Sequence, residues 1–240
     1  PKLLATPIAS GKRHFGPLMG LRDVMVIHSI IDILGLNPIS RTIFDNMAAA
    51  LAGLVEHGHP IDLDTNERYV AITMLGNTTK SVMAAKERLA QADIEAIIFH
   101  SNGVGGPAME ELAQKGLFIG VIDMTTDELA DELVGGFHNG GPERLRVVGR
   151  LGLPQVVVPG CIDFTVHGPP EAVPEHLRER PLYTHNPVFT LVRTLEPEMA
   201  ELGHRFAERL NETAGPIKIA YPTQGLSIPS YPPDGVFWDP

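Results

Sequence analysis

The chain has 240 residues, 43% of them hydrophobic, enough to bury one large core or two small ones. Its 29 acidic and 19 basic side chains give a formal charge of −10. Without a run of lysine or arginine, that balance excludes a general nucleic-acid or anionic-membrane surface and leaves room only for a local anion pocket. One cysteine, Cys161, excludes an internal disulfide framework and points to a reducing, cytoplasmic compartment. No stretch reaches the roughly 18 consecutive apolar residues of a membrane span, and nothing at the start resembles a signal peptide. The opening PKLLATPIA lacks a methionine and reads as an excerpt from something longer.

Taken in order, the chain alternates short apolar runs with polar or glycine-rich corners and helical patterns. The strand-like LLATPIA leads into ASGKRHFG, where Ser10, Gly11 and Lys12, with Arg13, form a candidate anion clamp. VMVIHS (24–29) reads as a strand. Ser40 can then cap a helix with Ile43, Met47, Leu51 and Leu54 on one stripe, closed by Gly58. YVAITML (69–75) ends in the corner Gly76-Asn77-Thr78-Thr79. AIIFHS (96–101) ends in His100-Ser101-Asn102 and a loop holding Gly103, Gly105 and Gly106, after which Pro107 begins a helix. LFIGVID (117–123) ends at Asp123, and Thr125 to Glu128 has the spacing of a capping box for a helix that stops at Gly135-Gly136. QVVVPG (155–160) is followed by residues 161–195, which carry several prolines and little sustained period and read as an irregular insertion, either a lid or an oligomer contact. Pro197 suits the first turn of a helix with Met199, Leu202, Phe206 and Leu210 on one stripe, and IKIAYP (217–222) closes the series.

Continuous apolar runs fit strands covered on both faces. Strands separated by helices imply right-handed crossovers, so the expected fold is α/β: a Rossmann-like, mainly parallel sheet with helices on both faces, in a single domain over 1–240. In such sheets ligands gather outside the carboxyl ends of the strands, where helix N-termini present free N–H groups. The polar corners all fall at those ends. The expected ligand-binding residues are therefore Ser10, Gly11, Lys12, Gly76, Asn77, Thr78, Thr79, His100, Ser101, Asn102, Gly103, Gly105, Gly106, Asp123 and Thr125, with a phosphate or carboxylate as guest. The loop after AIIFHS matches neither the dinucleotide nor the Walker glycine motif.

An enzyme acting on a small carboxylate or phosphorylated metabolite is the alternative, with His100 or Asp163 as acid or base. A scaffold for homo-oligomers or partner proteins is a third reading, resting on Leu182, Tyr183, Val188, Phe189 and Leu191. Cys161 could pair with a histidine for nucleophilic chemistry but reads as packing. The histidines His57, His59, His138, His167, His176, His185 and His204 form no ligand set by spacing, so no dedicated metal site is expected. Asp123 and Asp163 could hold a magnesium ion through waters beside a nucleotide.

Several blocks in the same order, VIHSIIDILGLNPISRTIFDNMAAALAGLVE, AITMLGNTTKSVMAAKERL, FHSNGVGGPAMEELAQKGLFIGVIDMTTDELADELVGG and GLPQVVVPGCIDF, are similar to the tomato mosaic virus resistance protein family. The resemblance covers nearly the whole chain. It implies a protein of two α/β halves, of which this chain is the second, with the first half lying before Pro1. It also implies ATP as ligand, since the plant member binds ATP and inhibits a viral replication protein.

Overall fold

The computed structural model describes residues 2–7, 23–59 and 67–239. The chain separates into two compact units, residues 1–64 and 65–240. In the first unit, β1 (Lys2–Thr6) and β2 (Val24–His28) pair in parallel, Lys2 opposite Val24. They are followed by the 20-residue helix α1 (Pro38–His57). Its cap is Asn37 rather than Ser40. The Asn37 side chain accepts from the Ile39 and Ser40 amides, while the Ser40 hydroxyl at the third helical position accepts from the Asn37 amide, completing a reciprocal box. Ser10, Gly11 and Lys12 lie outside the described residues.

The second unit holds the sheet that positions the site. Five strands run parallel: β3 (Tyr69–Met74), β4 (Glu95–His100), β5 (Gly120–Asp123), β6 (Gln155–Val157) and, after the elements described below, β10 (Ile217–Ile219). All five were legible as apolar runs. The spatial order is β10-β6-β5-β3-β4. The chain therefore starts in β3, steps outward to β4, and then returns across β3 to β5, β6 and β10. The direction of winding reverses between β3 and β5, and this is where an open parallel sheet leaves a crevice at its carboxyl edge.

Alternate residues of β3 face opposite ways. Val70, Ile72 and Met74 pack with Ala96, Ile98 and Ile122 against Val82 and Leu89 of α2 (Thr79–Ala90). The other face of the sheet carries Thr73, Asp123 and Val157, and meets α3 (Gly105–Gln114), α4 (Asp127–Val134) and the short α5 (Val147–Arg150). There Val157, Leu129, Leu145 and Ile162 form a core with Leu202 and Leu210 of α6 (Glu196–Leu210), and Met199 and Phe206 of the same stripe pack against it. Burying each leucine or valine of this kind contributes about 2 kcal/mol.

The segment after β6 is more regular than its prolines suggested. β7 (Phe164–His167), β8 (Leu182–Asn186) and β9 (Phe189–Arg193) form an antiparallel sheet in the order β7-β9-β8, with two 3₁₀ turns, Pro170–Ala172 and Glu175–Leu177, in the connection from β7 to β8. The apolar residues that suggested an oligomer contact are largely consumed inside the unit. Leu191 is buried with Leu75, Cys161, Phe164, Val166 and Phe237, Tyr183 and Phe189 pack on that cluster, and only Val188 is well exposed. Among the described residues no helix is long and apolar enough to cross a membrane.

Candidate functional site

Four corners meet at the carboxyl edge of the parallel sheet: Leu75–Thr79 after β3, Ser101–Val104 after β4, Met124–Thr126 after β5, and Val158–Cys161 after β6. They are stitched together by short bonds between polar groups. The Thr78 and Thr125 hydroxyls lie 2.7 Å apart, across the reversal point between β3 and β5, and the Thr125 N–H donates to Thr73 Oγ1 at 3.0 Å. Thr126 reaches the β6 corner twice, its N–H donating to the Gly160 carbonyl (3.0 Å) and its hydroxyl to that of Val158 (3.1 Å). Gly160 is needed there, because a methyl group would overlap the Met124 carbonyl oxygen.

The glycine-rich corner after β4 does hold a carboxylate, and that carboxylate belongs to the chain itself. The Gly103 and Gly106 N–H groups donate to Glu128 Oε1 at 2.8 and 3.2 Å. Glu128 was expected to serve a capping box at the start of α4. Instead, no side chain caps α4, and Glu128 turns back toward the loop with no exposed surface. The glycines fit this arrangement. A side chain at Gly106 would overlap Glu128 and Arg144, one at Gly105 would overlap the His100 carbonyl, and Gly103 has φ +83° against the backbone of His138 and Asn139. Asn102 accepts from the Val104 and Gly105 amides at 3.2 Å, which fixes the turn just before α3. The Ser101 hydroxyl donates to Asp127 Oδ1 (2.7 Å) and lies 3.1 Å from the Thr125 carbonyl. The His100 side chain is exposed.

Behind the loop lies a buried charge network absent from the sequence reading. Arg144, 1% exposed, grips Asp123 with two bonds of 2.6 Å, Glu128 Oε2 at 2.6 Å and Glu110 at 3.4 Å. Asp123 also accepts from the Thr73 hydroxyl at 2.8 Å. Both Asp123 oxygens are thus engaged by groups of the protein. Burial pushes Glu110 up to about 7, against the opposing pull of Arg144. Burial likewise raises Glu128.

Beside this network, Asp127 Oδ2 meets His138 Nδ1 at 2.8 Å, and Asp131 Oδ1 accepts from the Val166 amide at 2.9 Å. Burial alone would lower the His138 pKa, but Asp127, with Asp131 and Glu128, outweighs it and holds the imidazole above its ordinary value. His138 was among histidines dismissed for lack of ligand spacing. The available signal was Asp127 and Asp131 at i and i+4, which share one helix face.

The two acid–base candidates are not brought together. His100 ends β4, whereas Asp163 lies six residues past the end of β6 and directly before β7. Asp163 is 1% exposed and accepts the Ser227 hydroxyl at 2.6 Å, and burial raises its pKa. Cys161 has no exposed surface, and burial holds its thiol well above the ordinary value.

Of the expected ligand residues, the corner after β3 stays open. Gly76 and Thr79 are exposed, Asn77 is half-buried, and a side chain at Gly76 would meet nothing within 4 Å. Thr78 spends its hydroxyl on Leu75 and Thr125, and Thr79 Oγ1 donates to the Gly76 carbonyl at 3.0 Å.

Comparison with known proteins follows the division into units. Residues 67–240 match the C-terminal domain, and residues 1–60 the N-terminal domain, of the Uncharacterised protein family (UPF0261). The chain belongs to UPF0261. The first unit therefore carries residues of the N-terminal domain. A UPF0261 protein of Clostridium tetani is 42% identical over 227 residues, covering 95% of this chain and 55% of its own length. A UPF0261 protein of Rhizobium meliloti is 37% identical over 240 residues, covering 100% and 59%. The tomato ToMV resistance protein Tm-1(GCR237) is 33% identical over 244 residues, covering 100% of this chain and 32% of its own. The chain thus spans little more than half the length of the bacterial UPF0261 relatives and about a third of the tomato protein.

Proposed function

We propose that the second unit is a binding domain for a small phosphorylated ligand, with ATP, the ligand implied by the resemblance, as the first to try. The observation that carries this reading is the open corner Gly76-Asn77-Thr78-Thr79 at the point where the winding of the sheet reverses. It leads into the 12-residue helix α2, whose Thr79 N–H is taken by the Gly76 carbonyl of the preceding turn, while the positive end of the helix still favours an anion beside that corner. The ligand is placed there and not on the glycine-rich loop, because Glu128 already takes the Gly103 and Gly106 amides.

Calorimetric titration of ATP with magnesium into the protein, both as this chain and at full length, tests the reading. Binding should weaken at least about tenfold in Gly76→Val, whose side chain enters open space and leaves the fold intact while blocking approach to the backbone. Absence of binding by ATP, ADP and inorganic phosphate to either wild-type form ends the proposal. Equal binding by Gly76→Val moves the site elsewhere.

A further inference from the structure

We propose that Asp127, Asp131 and His138 form a site for one divalent transition-metal ion of the zinc class, separate from the phosphate corner. Asp127 opens α4 and Asp131 follows one turn later, so both carboxylates leave the same helix face. Gly135, at φ +95°, ends the helix and returns the chain so that His138 comes back against Asp127. One ligand atom from each of the three lies within 4.8 Å of the other two. The 2.8 Å between Asp127 Oδ2 and His138 Nδ1 is a hydrogen bond, and a tetrahedral ion holding both at about 2.1 Å would part them to about 3.4 Å, a shift of a few tenths of an ångström.

Clustered acids alone do not make a metal site. The observation that points to a missing ligand is Asp131 Oδ2, which is sealed from solvent and has no hydrogen-bond partner, on a side chain with no exposed surface. Its sister oxygen is occupied by the Val166 amide. Asp127 is held in the same manner, Oδ1 by the Ser101 hydroxyl, which leaves Oδ2 to face His138. Fixing one oxygen of each carboxylate by an outer donor and leaving the other for the ion is how protein metal sites orient their ligands.

The charge balance points the same way. The buried guanidinium of Arg144 is engaged by Asp123, Glu128 and Glu110. Two more buried carboxylates beside that group lack a full cation of their own, and buried charge requires pairing. Two oxygens and one imidazole nitrogen suit zinc, manganese or iron, whereas magnesium and calcium take oxygen ligands.

The test is metal content followed by titration of the chelator-stripped full chain with Zn²⁺ and Co²⁺. The expected result is about one equivalent of either ion, a rise in Tm with Zn²⁺, and a visible absorption band with Co²⁺. Asp131→Asn and His138→Gln should each weaken affinity by about a hundredfold or more. Ser101→Ala, which removes only an outer donor, should weaken it by about tenfold. His185→Ala, at an exposed histidine, should change nothing. If a ligand variant fails to fold, the wild-type titration decides alone. A folded wild-type chain that takes up neither ion overturns the site, as does full uptake by the double variant of Asp131→Asn with His138→Gln.

Discussion

The corners after β3 and β4 have much the same sequence grammar, an apolar strand running through small polar residues and glycine into a helix, yet they do different things. After β4, the N–H groups that could cradle an anion are turned onto Glu128, which is itself gripped by Arg144. Three glycines are present because backbone, carboxylate and guanidinium crowd them. After β3, Gly76 meets nothing, and the helix that follows opens toward the reversal point of the sheet. A glycine-rich loop is thus a statement about close approach, and what approaches can be another part of the same chain.

The largest effect that would sharpen this contrast is expected at Arg144. Arg144→Leu leaves Asp123, Glu128 and Glu110 buried without their cation and should cost about 3 to 5 kcal/mol, read by urea unfolding. Gly106→Val should be similarly damaging, because its side chain overlaps the same ion pair. A folded, cooperative Gly106→Val protein of wild-type stability would show that the loop is not packed on Glu128.

Next comes the pH dependence of the filled corner. Glu110 is raised by burial from 4.5 to about 7, so between those values the unfolded chain gives up its proton before the folded one does. Its contribution is therefore fully present below about pH 4.5 and is lost as pH rises toward 7, a change of about 3 kcal/mol if Glu110 acts alone. Glu110→Gln retains a carbonyl acceptor for the Leu145 amide and should flatten that part of the stability profile. An unchanged slope would assign it to other groups.

The smallest effect on stability is expected at the open corner. Gly76→Val should stay within about 1 kcal/mol of wild type in the same unfolding measurement. If it proves as disruptive as Gly106→Val, the two corners are alike and the contrast fails.

The strands of the parallel sheet were legible because buried strands are continuous apolar runs, and α6 because Met199, Leu202, Phe206 and Leu210 keep one helical stripe. The antiparallel sheet of β7, β8 and β9 was not. Its strands are short, its connection carries prolines, and Leu191 is buried by partners distant in sequence. Local pattern also misassigned the cap of α1, since Asn37 and Ser40 both carry capping side chains and only the backbone decides which one begins the helix.

The sequence by itself determined the class of fold and the corners where chemistry could sit, because hydrophobic period and turn residues act over a few neighbours. Only the tertiary structure decided which corner is filled. Glu128 is 22 residues from Gly106, Arg144 is 16 from Glu128, and Val166 is 35 from Asp131. Pairing across such separations follows from how helices dock on the sheet, and the cost of burying each charge then dictates its partner.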